Sequence, residues 1–342
     1  MKVLSLFDGM SCGMIALDRL GIKVDTYYAS EVDKYAIQVS QKNYPEIIQI
    51  GDVCNIKAED YQDIDLILAG SPCQGFSFAG KQLAFDDPRS SLFFEFVRLL
   101  KEIKPKYFLL ENVNMKKEFL DVISEQVSSC YPELPFGIER IKINSALVSA
   151  QNRVRWYWTN IPGVEQPEQR GIVLRDILET NSFENSAETH DTPKQIATAI
   201  DVNGHDILKR VYSEDGKSPV VTTCGGGNTE PKVVAGAWRG RSLDESGKNV
   251  AWKETKPKQM LELRKDEKSN SLTSVRKDNI VSLTRDKDQD VYWRKITPIE
   301  AERLQTVPDH YTDCVSTTQR LKCLGNGWTI EVITHILKNM EL

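Results

Sequence analysis

A thiol follows one apolar run in Ser71-Pro72-Cys73-Gln74, and a carboxylate closes another in Glu111-Asn112-Val113. Asp65-Leu66-Ile67-Leu68-Ala69, ended by Gly70, reads as a buried strand of a parallel sheet, and Tyr107-Phe108-Leu109-Leu110 as a second. Ligands of such sheets bind beyond the carboxyl ends of the strands, so Cys73 and Glu111 are expected on one edge. A nucleophilic thiol with a proton donor alongside suits covalent catalysis. A lone cysteine after a strand is ordinarily a small buried hydrophobe. Cys12, Cys54, Cys130, Cys224, Cys314 and Cys323 read that way, and only its neighbours set Cys73 apart.

Other strand ends on the same edge carry nucleotide-type groups. Phe7-Asp8-Gly9-Met10-Ser11-Cys12-Gly13 joins a strand to a helix, where glycines admit close backbone approach and the helix N-terminus offers unpaired N–H groups. The turn is not G-x-G-x-x-G, and alone it says little. Ala29-Ser30-Glu31 sets a carboxylate where ribose hydroxyls are usually met, and Gly51-Asp52-Val53 sets another within reach of an adenine amino group. Either acid by itself is more often a cap or a surface charge. Together, and without a phosphate-binding lysine, they imply S-adenosylmethionine or a dinucleotide rather than ATP.

The elements that must position these groups alternate. Strands are predicted over 2–7, 24–30, 47–50, 65–69, 107–110, 138–147 and 155–159. Helices are predicted over 11–20, closed by Gly21, over 33–43, stopped by Pro45, and over 91–103, stopped by Pro105. Such alternation predicts an α/β fold with a doubly wound, mostly parallel sheet. From about 165 to 290 the apolar runs shorten and Gly, Ser, Thr, Asn and charged residues dominate, as in a smaller, irregular, β-rich domain. A helix from Pro298 to Thr306 and another over the last residues follow. The expected organisation is a catalytic and cofactor-binding domain over 1–165, a second domain over 166–292, and a return to the first over 293–342.

The chain has 342 residues, 40% hydrophobic and 27% charged, which suits a soluble globular protein. Its N-terminal apolar run stops at Asp8, too short for a signal peptide or a membrane span. Seven cysteines without framework spacing suit a reducing compartment. With no Cys-x-x-Cys, and with His190, His205, His310 and His335 scattered, no metal site is expected. The net charge is −5, yet residues 236–295 hold 15 Lys and Arg against 10 Asp and Glu. That local excess suits a phosphate-facing segment and a solvated surface equally.

Taken together the blocks resemble the cytosine-C5 DNA methyltransferase family. In family order they are the Phe-x-Gly turn at 7–9, Glu31, Gly51-Asp52-Val53, Ser71-Pro72-Cys73-Gln74, Glu111-Asn112-Val113, Gln151-Asn152-Arg153-Val154-Arg155, Ile296–Gln305 with Pro308-Asp309, and Gly325-Asn326-Gly327. They cover residues 1 to about 160 and 290 to the end. Ser11 and Cys12 stand where the family often has glycine, and Gly327 where Ala or Ser is common. Phe7-Asp8-Gly9 and Arg89–Phe96 are similar to the animal de novo enzymes.

The resemblance implies a Rossmann-like, S-adenosylmethionine-dependent catalytic domain with a target-recognition domain at 166–292. In it Cys73 attacks C6 of the cytosine, Glu111 in its protonated form bonds N3, and Arg153 and Arg155 hold the O2 edge and favour the thiolate. Ion pairing at the surface is the plain alternative for both arginines. Phe7, Asp8, Gly9, Met10, Glu31, Val32, Asp52, Val53, Pro72, Leu92 and Asn326 would contact the cofactor. Gln74, Ser77, Arg239, Arg241, Arg276 and Lys277 would contact DNA. The target base must be flipped out of the duplex, and 75–91 would close over it. The implied partners are double-stranded DNA and, in a restriction–modification rather than an orphan setting, a cognate restriction endonuclease acting on the same site. A cytoplasmic, nucleoid-associated monomer is expected, with no membrane and no metal. A tRNA cytosine-C5 methyltransferase is the nearest rival, but its Cys-Phe-Thr motif is missing. A catalytically silent DNA-binding relative is disfavoured by Cys73, Glu111, Arg153 and Arg155. A dehydrogenase lacks its G-x-G-x-x-G, and a Cys hydrolase lacks a histidine in the first half of the chain.

Overall fold

The computed structural model describes residues 1–71, 91–179 and 296–341, together with the backbone of short strands between 195 and 295. The chain divides into two compact units. The first holds Met1–Asn144, Val154–Pro167 and Ile330–Leu342, and the second holds Ser145–Arg153 and Glu168–Thr329. The stretch that returns to the first unit therefore begins at Ile330.

In the first unit, β1 (Lys2–Leu6), β2 (Thr26–Ser30), β3 (Ile48–Gln49), β4 (Leu66–Ala69) and β5 (Tyr107–Val113) alternate with α1 (Cys12–Arg19), α2 (Lys34–Asn43) and α3 (Ser91–Ile103). Then come α4 (Lys117–Ser128), β6 (Arg140–Asn144) and, beyond the short β7 (Gln151–Asn152) of the second unit, β8 (Val154–Thr159). The sheet runs β3-β2-β1-β4-β5-β8-β6. Its first five strands are parallel, and β5–β8 and β6–β8 are antiparallel. β4 is buried along its whole length, as a strand covered on both faces must be. The antiparallel end follows from chain length: too few residues separate Asn144 from Val154 for a crossover helix.

Local chemistry sets the element ends. Gly21, at φ 65°, closes α1 in a Schellman motif, with Gly21 N donating to Asp18 O at 2.9 Å and Ile22 N to Leu17 O at 3.1 Å. Asp33 caps α2 by accepting from Tyr35 N at 2.9 Å. Among the described residues, two α-helices were not anticipated from the sequence: α4, and Thr317–Asn326 of the second unit. α4 buries Leu120, Ile123 and Val127 on one face, but begins on Lys116 with no side-chain cap, so it gave no start signal. β5 also outruns its predicted end at Leu110, because β8 goes on pairing with it as far as Val113↔Arg155.

In the second unit, strands at Ala237–Arg241 and Lys258–Glu262 pair antiparallel, and Ser218–Pro219 pairs with β7. Pro298–Leu304 forms a helix capped by a reciprocal Thr297–Glu300 box, with Pro298 in its first turn. Ile330–Leu337, back in the first unit, is a strongly apolar helix.

Candidate active site

β1 lies between β2 and β4, so the chain turns to one side of it and later to the other. Such a switch point opens a crevice at the carboxyl ends of the strands. Register fixes what meets there: Leu6 pairs with both Ser30 and Ala69, and Ala69 with Leu110. The next residues of the four chains are Phe7, Glu31, Gly70-Ser71 and Glu111, which therefore share one edge.

The turn after β1 alternates left-handed residues, Phe7 at φ 57°, Gly9 at 62° and Ser11 at 64°. Among the described residues nothing lies within 4 Å of a Cβ built at Gly9, so none of them fills the space over the turn. Gly9 N donates to Glu31 Oε2 at 2.8 Å, while Val32 N and Asp33 N donate to Glu31 Oε1 at 2.7 and 2.8 Å. Three backbone donors thus hold the Glu31 carboxylate in one orientation. Val32 beside it is 71% exposed, an unusual state for a valine. Asp52 is exposed and accepts from Cys54 N at 3.0 Å. Phe7 and Leu92 pack half-buried against the core cluster that contains Val53. Met10, Val53 and Asp8 are buried. Asp8 faces inward, accepting from Tyr27 OH at 2.8 Å and from Ser11 Oγ at 2.5 Å. Burial raises its pKa to about 6, against the pull of hydrogen bonds from Ser11, Ser5 and Tyr27.

On the other side of the edge, Arg155 Nε lies 2.9 Å from Glu111 Oε1, in an approach that suits an ion pair rather than an in-line hydrogen bond. Arg155 Nη1 donates to Val154 O at 2.9 Å. The pair is a cross-strand diagonal, since Glu111 stands opposite Tyr157 and Arg155 two residues away on the same face. Asn112, on the opposite face, donates through Nδ2 to Ser71 Oγ at 3.2 Å and accepts from Val113 N at 2.8 Å. That ties the end of β5 to the residue two places before Cys73. Pro72, Cys73, Gln74, Ser77, Arg276 and Lys277 lie outside the described residues, as do the side chains of Arg239 and Arg241 on the strand Ala237–Arg241.

The second unit takes Arg153, which is 3% exposed. Its guanidinium donates to Gly325 O at 3.3 Å and Gly327 O at 2.9 Å, carbonyls on either side of the exposed Asn326. Gln151 Nε2 donates to Leu304 O at 3.0 Å and Gln305 Nε2 to Leu324 O at 2.6 Å. The break between β7 and β8 falls at Arg153: that arginine binds the Gly325–Gly327 segment of its own unit, while Arg155, inside β8, meets Glu111 in the other. Gln305 and Asn112 stand inside blocks read from the sequence, but their partners were not legible there. Tyr27 carried no signal at all.

A family model described as C-5 cytosine-specific DNA methylase matches residues 1–342. The chain belongs to that family. The methyltransferase is 31% identical, over 99% of its length and 77% of the relative's, to the type II methyltransferase M1.ScrFI of Lactococcus lactis subsp. cremoris. It is 27% identical, over 99% and 97%, to the orphan methyltransferase M.SPRI of Bacillus phage SPR. Its fold matches the crystal structure of the S. pombe Dnmt2 methyltransferase with a TM-score of 0.61, at 16% identity over 98% of this chain and 97% of that one. It is a DNA cytosine-C5 methyltransferase on a mixed, mostly parallel seven-stranded sheet.

Proposed function

We propose that this enzyme methylates C5 of a cytosine flipped out of a specific duplex sequence, with Cys73 as nucleophile and S-adenosylmethionine as methyl donor. One observation carries the reading: the Glu111–Arg155 pair, 2.9 Å apart, stands on the strand-end edge that the chain leaves at Ser71, two residues before Cys73. The edge also suits an adenosyl ligand. The space that no described residue fills over Gly9, the exposed Val32, the anchored Glu31 and the exposed Asp52 carboxylate fit an apolar ring flanked by hydroxyl and amino donors. Phe7, Val32 and Leu92 would line the adenine, Glu31 would accept from the ribose and Asp52 from the adenine amino group, with Asn326 and Pro72 as further contacts. Asp8, Met10 and Val53 would act from beneath. The donor supplies the methyl group.

Cytosine C5 is a weak nucleophile until the ring is activated. The Cys73 thiolate adds to C6, and the C5–C6 double-bond electrons become available at C5. When the base enters, Glu111 exchanges its ion pair with Arg155 for a proton, hydrogen-bonds N3 and offsets charge gathering on the ring, while Arg155 holds the O2 edge. Once C5 carries the methyl group it loses its proton, the C6–S bond breaks, and both the aromatic ring and the thiolate are restored. Residues 166–292 are assigned to target recognition, Arg239, Arg241, Arg276 and Lys277 to DNA contact, and the biological setting to restriction–modification or orphan modification. Arg153 is assigned to support of the Gly325–Gly327 segment and, through it, of Asn326.

The test is methyl transfer from tritiated donor to mixed-sequence duplex DNA or total tRNA, with Cys73→Ala in parallel. Label is expected in DNA cytosine only, absent from Cys73→Ala, with bisulfite sequencing giving the recognised site. Label confined to tRNA would overturn the DNA assignment, and a fully active Cys73→Ala would overturn the mechanism.

A further inference from the structure

Beneath the turn at 7–11 lies a buried polar cluster that the methyl-transfer steps do not use. Asp8 accepts from Tyr27 OH at 2.8 Å and from Ser11 Oγ at 2.5 Å, and Ser11 Oγ lies 2.6 Å from Ser40 Oγ. Gln49 Nε2 reaches Ser40 Oγ at 3.3 Å, so groups from the turn after β1 and from β2, α2 and β3 converge. Three observations set the cluster apart from ordinary satisfaction of core polar groups. A buried carboxylate is costly where a neutral side chain would accept the same donors. The turn it holds is one that L-residues avoid, since Phe7 and Ser11 are left-handed at φ 57° and 64°. Ser11, at the N-cap of α1, makes no side-chain cap but turns its hydroxyl down to Asp8. Gly13 completes the arrangement: a Cβ there would come within 2.9 Å of the Tyr27 hydroxyl and 2.3 Å of Leu68 Cδ1, so the helix gives up a side chain where that hydroxyl passes.

We infer that Tyr27, acting through the Asp8 carboxylate, is a positioning residue for the turn Phe7–Ser11 and thereby sets the enzyme's affinity for its adenosyl methyl donor. The inference rests on the proposed binding of that donor at this edge. The path is short. Tyr27 and Ser11 hold Asp8, Asp8 N is tied to Ser30 O at 3.0 Å, and the next amide, Gly9 N, holds the Glu31 carboxylate at 2.8 Å. If Tyr27 releases Asp8, the turn relaxes and Glu31 loses one of its three anchors. The groups facing Asp8 are Ser5 from β1, Ser11 from the turn, Tyr27 from β2 and Glu31 just after it, with Cys12 of α1 beside Tyr27. Glu31 opposes the negative charge on Asp8 and the three hydroxyls favour it.

Titration of S-adenosylhomocysteine into wild type, Tyr27→Phe and Asp8→Asn by calorimetry, from about pH 5 to 8, tests this. Tyr27→Phe is expected to bind roughly tenfold more weakly near neutral pH, the effect of one lost hydrogen bond to a charged group. Its kcat at saturating donor should stay within about twofold while KM for the donor rises. The pH at which binding weakens, near 6 in wild type, should move upward in Tyr27→Phe and vanish in Asp8→Asn. Asp8→Asn keeps the shape of the site and serves if Tyr27→Phe does not fold by circular dichroism. A folded variant that binds as tightly as wild type, with the same pH profile, overturns the inference alone. A wild type that binds no S-adenosylhomocysteine overturns the donor assignment beneath it.

Discussion

Glu111 and Arg155 lie 2.9 Å apart, and the proposed mechanism gives Glu111 the part that a substitution can isolate. Glu111→Gln keeps the size and a donor toward N3 but cannot carry a proton, so the transition state loses more than the bound base does. Single-turnover methylation should slow about 10²–10³-fold, with S-adenosylhomocysteine binding unchanged. A Glu111→Gln enzyme within threefold of wild type would remove the carboxyl group from the mechanism. Asp8 makes a prediction of opposite kind. Its pKa, about 6 in the fold against an ordinary 3.8, means that the folded state takes the proton more readily than the unfolded chain. The stability it contributes is therefore full below about pH 4 and lost as pH rises through about 6. A rise from 3.8 to about 6 corresponds to roughly 3 kcal/mol of burdened stability at pH 8. Asp8→Asn should gain thermal midpoint relative to wild type as pH is raised from 5 to 8, even as donor binding weakens. Equal midpoint differences at both pH values would show that the carboxylate is not under strain. That Glu111 stands on the strand-end edge was legible because a short run of sequence carries it; its contact with Arg155 was not, because pairing across strands decides it. The inward turn of Asp8 was not, since its partner sits 19 positions away on another strand and no local pattern says which way the carboxylate faces.

At the scale of elements, the packing of α1 on the sheet depends on one missing side chain. Gly13→Ala would set a methyl 2.3 Å from Leu68 Cδ1 and 2.9 Å from the Tyr27 hydroxyl, so something must shift. Overpacking of this kind costs about 1–3 kcal/mol, and a urea melt should show it with the slope unchanged. A neutral Gly13→Ala would mean that α1 rides up freely and that the Tyr27–Asp8 bond is not tightly held. The helices and strands around this contact were readable wherever start and stop signals were strong: Gly21, Asp33, Pro45 and Pro105 all mark real boundaries. Reading failed where tertiary pairing overrides local signal. α4 starts on uncapped lysines and is held by its buried Leu120, Ile123 and Val127, and β5 runs on to Val113 only because β8 is there to pair with it.

For the whole molecule, the decisive fact is that the first unit is discontinuous, leaving at Asn144, returning at Val154–Pro167, and closing with Ile330–Leu342. The closing helix and a C-terminal return to the first domain were expected from the sequence, but the helix's seat on α1 was not, because nothing local in Ile330–Leu337 names a partner some three hundred residues earlier. It packs on α1, with Arg19 Nη1 on Glu331 Oε1 at 2.6 Å and His335 Nε2 at 2.8 Å from Glu165 O. The exposed ion pair is a small part of this attachment, worth about 0–1 kcal/mol. Burial is the large part: Ile330, Val332, Ile333, Ile336 and Leu337 are wholly buried. At about 1.5–3 kcal/mol for each such side chain, the helix contributes on the order of the entire 5–15 kcal/mol by which a domain is stable. Truncation after Thr329 should therefore abolish cooperative unfolding of the first unit, whereas Glu331→Ala should shift its midpoint by only about 1–3 °C. Circular dichroism melts of the two variants separate these terms. A truncated chain that still melts cooperatively near the wild-type temperature would mean that α1 and the sheet edge it carries hold together unaided. The first turn, and every group suspended from it, would then owe nothing to the end of the chain.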